Sequence, residues 1–169
     1  MDIQSLIASL DLQIENPSRG LPEEVFLFVS RLTPMVNVDL LVKNIHNETL
    51  LTWRDDAFYG PGWHVPGGIV RFKETMATRI HAVAESELGA TVEFRKEPLA
   101  VNEIMNATRD TRGHFVSLLY ECNLTSPLDP ALEYKSGKLR NGEWAWHASC
   151  PDNIILVHKV YKQFIGCAD

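Results

Sequence analysis

Two spacings of apolar residues alternate along this chain, and each predicts its own kind of element. Residues 3–12 place apolar side chains at the spacing of a short amphipathic helix. Glu15-Asn16-Pro17-Ser18-Arg19-Gly20 reads as a turn, and Pro22-Glu23-Glu24 opens a second helix through Val25 to Leu32, because proline and acids suit a helix start. Thr33-Pro34 ends it. Met35 to Val42 (MVNVDLLV) is apolar and β-branched and predicts a strand; His46-Asn47-Glu48 predicts a hairpin turn, and Thr49 to Arg54 the returning strand. A loop from Asp55 to Gly62 leads into Trp63-His64-Val65-Pro66-Gly67-Gly68, and a strand-like turn follows over Ile69 to Phe72. A helix from about Glu74 to Leu88 then closes on Gly89. Ala90 to Phe94, Leu99 to Met105, His114 to Cys122 and Glu143 to His147 predict further strands. Thr125 to Lys138 predicts a polar loop, and Asp152 to Ile165 a terminal helix. Strands around a central helix, with more helices at the chain ends, point to a three-layer α/β sandwich.

A length of 169 residues suits one core, divided here into an N-terminal helical extension over 1–32 and a catalytic-size domain over 33–169. The net charge of -6 and the pI near 5.5 argue against a general nucleic-acid binder, which needs a basic surface. A small anionic substrate is still compatible, since it needs only local cations. Cys122, Cys150 and Cys167 are far apart and form no C-x-x-C pair, which implies a reducing compartment. The acidic start lacks the features of a signal peptide, and no apolar run is long enough for a bilayer. The expected location is the cytoplasm, without a membrane partner.

The predicted helix over 74–88 carries the candidate chemistry. On a helical wheel Met76, Ile80 and Val83 share one face, Glu87 falls on that same face, and Glu85 points away. A carboxylate on an apolar stripe needs a partner. One reading gives it water, Arg79 or a backbone amide at the rim; the other gives it a cation. Gly67-Gly68, just before the helix, permits close approach of the backbone. A carbonyl there and Glu87 would supply two hard oxygen ligands, a partial cage of the kind magnesium completes with waters and phosphate oxygens.

Gly68, Glu74, Glu87 and Gly89, with the lead-in Trp63 to Gly68, resemble the signature of the Nudix hydrolases: glycine, five residues, glutamate, seven residues, then Arg-Glu-U-x-Glu-Glu-x-Gly-U, with U a bulky aliphatic. Ala82, Val83 and Ser86 stand where that signature has arginine and two glutamates, and Ala84 and Ala90 hold the U positions. Within the family, Thr33 to Val42, Leu50 to Arg54, Trp63 to Gly68, Glu74-Thr75-Met76 and Glu87-Leu88-Gly89 resemble the GDP-mannose mannosyl hydrolase branch. The resemblance implies a mixed central sheet with the signature helix against it. It also implies hydrolysis of a nucleoside diphosphate linked to another moiety, with a nucleotide sugar such as GDP-mannose as the leading substrate. The metal would be Mg2+, with Mn2+ as the alternative, held by Glu87 and the Gly67 carbonyl. Asp39 and Arg54 would contact substrate; the plain alternatives are a strand-end cap for Asp39 and a surface arginine for Arg54. A homodimer is implied as well, and Leu6, Leu10, Val25, Phe26 and Phe28 would either pack on the domain or form the dimer contact.

The chain departs from that branch in three places. Ile69 stands where an arginine follows the paired glycines, with Arg71 two residues on as its substitute against substrate. Arg140 and Asn141 stand where the branch has a metal-binding glutamine and a general-base histidine, and an asparagine cannot take a proton from water. Glu143-Trp144-Ala145-Trp146 fits a Glu-x-x-Trp pattern found in other Nudix proteins, so Glu143 is a candidate to bind metal or activate water; otherwise it is a strand-end carboxylate paired with Lys or Arg. His64 would line the pocket and bind substrate. His114 and Glu103 are lesser candidates for the base. Phe58, Tyr59 and Trp53 would stack on a base or simply pack. Pyrophosphate cleavage of another nucleotide derivative, or silent nucleotide-sugar binding, are the alternative functions.

Overall fold

The computed structural model describes residues 2–166, so Cys167 lies outside the described residues. Its organising element is β1 (Met35–Val42), whose alternation divides the core in two. Val38, Leu40 and Val42 point to one face, and Asp39 and Leu41 to the other; all five are buried. One edge of β1 pairs in parallel with β7 (His114–Leu124), from Met35 opposite Phe115 to Val42 opposite Cys122. Its other edge pairs antiparallel with β4 (Gly67–Ile69). The far edge of β7 receives β5 (Val92–Phe94) and β6 (Ala100–Met105) at different stretches, both antiparallel. The result is the expected mixed sheet.

β2 (Thr49–Arg54) does not return along β1 as a long hairpin. Asn44 and Asn47 close the turn, Asn47 with φ at 61°, but only a Lys43–Thr49 bridge follows. Both edges of β1 are already occupied by β7 and β4. β2 therefore pairs with β3 (Gly62–His64) and β8 (Trp144–His147) in a second, antiparallel sheet. The strand after the paired glycines also shifts: residues 67–69 are extended rather than 69–72, because Gly67 and Gly68 themselves sit opposite Asp39 and Val38.

α3 (Met76–Leu88) covers one face. Thr75 caps its start by accepting from the amide of Thr78, and Gly89, at φ 59°, closes its end. Glu74, expected inside the helix, instead grips Arg79 with both oxygens at 2.8 and 2.9 Å. Ile80, Val83, Ala84 and Leu88 pack on Val38, Leu40, Val42 and Leu50. Each large aliphatic among them contributes roughly 1.5–3 kcal/mol by leaving water, so this face fixes where α3 sits.

The opposite face holds Leu41, Leu51, Trp63, Val65, Leu119 and the C-terminal segment. That segment is a 3-10 helix over Leu156–Phe164, not the predicted helix from Asp152. Ile154 bridges to Trp63, and the Ile155 amide donates to the Trp63 carbonyl at 2.8 Å, so strand-like pairing takes the residues meant to start the helix. With α3 on one side and this segment on the other, the chain forms the expected three-layer α/β arrangement.

In the extension, α1 (Ile3–Asp11) buries none of its residues, and Leu6 is exposed. α2 (Glu23–Val29) buries Val25 and half-buries Phe26, while Phe28 is exposed. Among the described residues no helix is long and apolar enough to cross a membrane.

Candidate active site

A cavity of about 400 Å³ opens where β1, β2, β4 and the end of α3 converge. Asp39, Arg54, His64, Gly67 and Glu87, five of the residues expected from the sequence, line it together. The two glycines there answer to different neighbours. A Cβ on Gly67 would collide with the Asp39 carboxylate and the Val38 carbonyl; one on Gly68 would lie 2.8 Å from the Val83 side chain. Gly67 thus lets β4 meet β1, and Gly68 lets the same turn meet α3.

Glu87 ends the apolar face of α3 and reaches back to this turn. Its Oε1 accepts from the Gly67 amide at 3.4 Å, and its Oε2 accepts from the Thr52 hydroxyl at 3.2 Å. The Arg79 option is excluded by the Arg79–Glu74 pair. The side chain keeps about a quarter of its surface open, so Glu87 is held on the cavity wall and is neither buried nor released to solvent.

His64 faces Thr52 across the β2–β3 ladder. Its Nδ1 lies 2.8 Å from the Thr52 carbonyl oxygen, which can only accept, so Nδ1 carries the proton. Nε2 lies 3.4 Å from Oε2 of Glu87 and 3.3 Å from the Thr52 hydroxyl oxygen.

Asp39 is buried with all its neighbours donating. Asn37 Nδ2 donates to Oδ1 at 2.8 Å, and the Ser117 and Tyr161 hydroxyls donate to Oδ2 at 2.7 and 2.5 Å. Burial raises its pKa to about 6 despite those bonds and the nearby His64. Tyr161, buried against it, is raised as well. This carboxyl therefore ties β1, β7 and the C-terminal segment together beneath the cavity floor. His158 stands next to it in the wall; its Nδ1 accepts from the Val65 amide at 2.9 Å, and burial, then the charges of His64 and Arg54, hold its pKa well below the usual imidazole value.

Arg54, at the end of β2, donates from Nε to Asp56 at 2.6 Å and stacks on Tyr59. Burial pushes the Asp56 pKa up, but the amides of Tyr59 and Phe58 and the Arg54 guanidinium outweigh it. Tyr59, Trp53 and Arg112 also line the cavity. Arg112 and the neighbouring Arg109 were not among the expected site residues; their only signal is two arginines three apart on the turn between two strands, a place where loops commonly carry function.

Glu143 and Arg71 do not line this cavity. Glu143 accepts from the Arg140 backbone amide at 2.8 Å and from its guanidinium at 2.6–2.8 Å, which lowers its pKa. Its carbonyl accepts from the Trp53 amide, so residues 140–143 clip onto β2. That clip brings Asn141 into the wall, where its Oδ1 accepts from the Asp55 amide at 3.0 Å. Arg71 faces a separate groove beside the N-terminal extension, and its amide donates to Glu74. His114 and Glu103 pair with each other at 3.0 Å on the exposed edge of β6 and β7.

Among the described residues no three His, Cys, Asp or Glu side chains are grouped to hold a metal unaided. A closed zinc-type cage is therefore not built here. One carboxylate beside a glycine turn does fit magnesium, which keeps several waters and takes phosphate oxygens from its substrate.

No known family model matches the sequence. The low-salt glycan biosynthesis protein Agl8 of Haloferax volcanii is 28% identical over 116 residues, which are 66% of this chain and 73% of that protein. Among solved structures, the MutT Nudix hydrolase of Burkholderia pseudomallei superposes with a TM-score of 0.62 at 20% identity, over 79% of this chain and 98% of that one. A UDP-X diphosphatase superposes with a TM-score of 0.57 at 17% identity, over 96% and 74%. The chain has the Nudix hydrolase fold.

Proposed function

We propose that this protein hydrolyses a nucleoside diphosphate linked to another moiety, with a nucleotide sugar as the leading substrate. The observation that carries this reading is Glu87, held by the Gly67 amide and Thr52 on the wall of a cavity that Arg54 also lines. Glu87 and the Gly67 carbonyl would hold magnesium, with manganese as the alternative, and the ion would neutralise and polarise the diphosphate. Arg54 presents a guanidinium fork suited to phosphate oxygens. Nε2 of His64, beside Glu87, would take the proton of an attacking water. Glu143 serves this scheme indirectly, by fixing the turn that carries Asn141. A sugar-bearing substrate is in keeping with the glycan-biosynthesis name of the Haloferax relative, and a nucleoside diphosphate with that of the UDP-X diphosphatase.

A panel of nucleoside diphosphate sugars, GDP-mannose among them, assayed with magnesium for nucleotide and sugar products tests the reading. Turnover that needs the metal is expected; inactivity across the panel would overturn it.

Asn141 favours a second reading of the bond broken. An amide in the cavity wall, at the position matched to the basic histidine of the mannosyl hydrolase branch, argues against sugar release by that base and for cleavage of the pyrophosphate. Reaction in heavy-oxygen water separates the two: label enters phosphate in one case and sugar in the other.

A further inference from the structure

The turn between β6 and β7 brings Arg112 into the cavity wall and Arg109 onto the Tyr59 ring of that wall, and nothing in the scheme above uses them. The Tyr59 ring gathers three guanidinium groups, with Arg109 at 4.5 Å, Arg54 at 5.0 Å and Arg112 at 5.6 Å from its centroid. Arg112 also lies 4.6 Å from the Phe58 ring and 5.6 Å from that of Phe26 in α2. Ring faces attract cations but do not neutralise them. Asp56 is the one carboxylate paired within this group, and it is taken by Arg54. Among the described residues neither Arg109 nor Arg112 joins an ion pair, and Arg109 Nη1 and Arg112 Nε are buried without a hydrogen-bond partner.

Arg112 is placed there deliberately by its backbone. It adopts φ 52°, a left-handed conformation that a residue with a Cβ avoids. Its amide donates to the Ser30 hydroxyl at 3.0 Å, and the Tyr59 hydroxyl donates to its carbonyl at 3.0 Å. The N-terminal extension thus helps to hold this side chain in the wall of the cavity that contains Glu87. Burial, and then the charge of Arg54, depress the Arg112 pKa, and Tyr59 and Asp56 offset them only in part.

We propose that Arg109 and Arg112, with Arg54, form an anion clamp for the phosphate groups of a nucleoside diphosphate. The inference rests on the proposed function for the identity of the ligand, but the clamp itself binds phosphate oxygens whether or not a bond is broken. The Arg112 and Arg109 guanidinium groups, in and beside the cavity wall with no carboxylate among the described residues paired to them, match phosphate oxygens in charge and planarity. Their shared aromatic rings fix the forks in advance, so little side-chain freedom is lost on binding.

Calorimetry with the metal chelated tests the clamp separately from catalysis. The full chain is titrated with inorganic diphosphate and, in a second arm, with GDP; the second arm shows whether the anion is bound free or as part of a nucleotide. The wild type is expected to bind at least one of them, and Arg109→Gln and Arg112→Gln to weaken that binding by at least about tenfold, with Arg109→Lys retaining part of it. Thermal melts verify that each variant is folded, and Arg109→Gln alone decides if Arg112→Gln is not. Absence of binding by the wild type, or affinities within about twofold of it in a folded Arg109→Gln, would overturn the clamp. If binding depends on these arginines while the nucleotide-sugar panel shows no turnover, the clamp stands and the hydrolase reading alone fails.

Discussion

His64 turns Nε2 toward Oε2 of Glu87 at 3.4 Å while its Nδ1 is committed to the Thr52 carbonyl, so a strand of the smaller sheet fixes the ring against the last turn of the helix that packs on the larger one. Both groups are oriented before any ligand arrives. Such preorientation by hydrogen bonds from neighbouring elements is what a metal-assisted site requires of its ligands.

Glu87→Gln keeps the shape of the side chain and removes its charge. Turnover of the nucleotide-sugar substrate is expected to fall by at least about 100-fold, and half-maximal activity to move to higher magnesium. Initial rates across a magnesium series check this; an unchanged dependence would mean that Glu87 does not hold the ion.

His64→Phe removes Nε2 and the bond to Thr52 while filling the same space. The expected loss in kcat/KM is about 10- to 100-fold, with the melting temperature little altered. Kinetics alongside calorimetric melting distinguish this from a packing defect, which would lower both together.

Gly68→Ala tests the close approach of the glycine turn to α3. The new methyl would lie 2.8 Å from Val83 Cγ2 and 3.2 Å from Arg79 Cδ, and the crowding should destabilise the fold by about 1–3 kcal/mol. Urea denaturation measures it. Pairing the change with Val83→Ala, which opens the space, is expected to recover part of the loss.

His158 supplies a pH dependence. Its folded-state pKa is well below that of the unfolded chain, because burial disfavours the charged ring. The unfolded chain therefore takes up the proton more readily, and acid favours unfolding. The stability linked to this residue is fully present above about pH 6.5 and is lost as the pH falls below it, by at most about 1.4 kcal/mol per pH unit. Denaturation midpoints between pH 7.5 and 5.5 should show a shallower slope in His158→Gln than in the wild type. Imidazole resonances should show this ring neutral at pH 6 in the folded protein.

The elements readable from sequence are those whose residues decide locally. Met35 to Val42 is apolar and β-branched throughout most of its length and forms β1 as expected, and Gly89 closes α3 where its pattern ends, although the helix starts after the Thr75 cap and not at Glu74. The shared face of Ile80, Val83 and Glu87, beside two glycines, was enough to put Glu87, Gly67 and the cavity in one place. Periodicity and caps act within a few residues, and that is the range a single sequence exposes.

What the sequence alone determined, then, is most of the strands, though not β3 or the place of β4, together with the helix with its carboxylate and the turn facing it. Tertiary structure decided which groups are left free to act. Glu143 fits a promising pattern, yet Arg140, three residues away, closes on it. Asp39 lines the cavity, and Tyr161 and Ser117, 122 and 78 positions along the chain, donate their hydroxyls to it. Arg109 and Arg112 carry only the signal of two arginines three apart; both stand on the Tyr59 ring because the β6–β7 turn folds against the Asp56–Tyr59 turn, with Ser30 after α2 holding the Arg112 amide. A side chain's type sets what it can bind, but its partners in space settle whether that capacity is still open, and those partners come from parts of the chain that local pattern cannot relate.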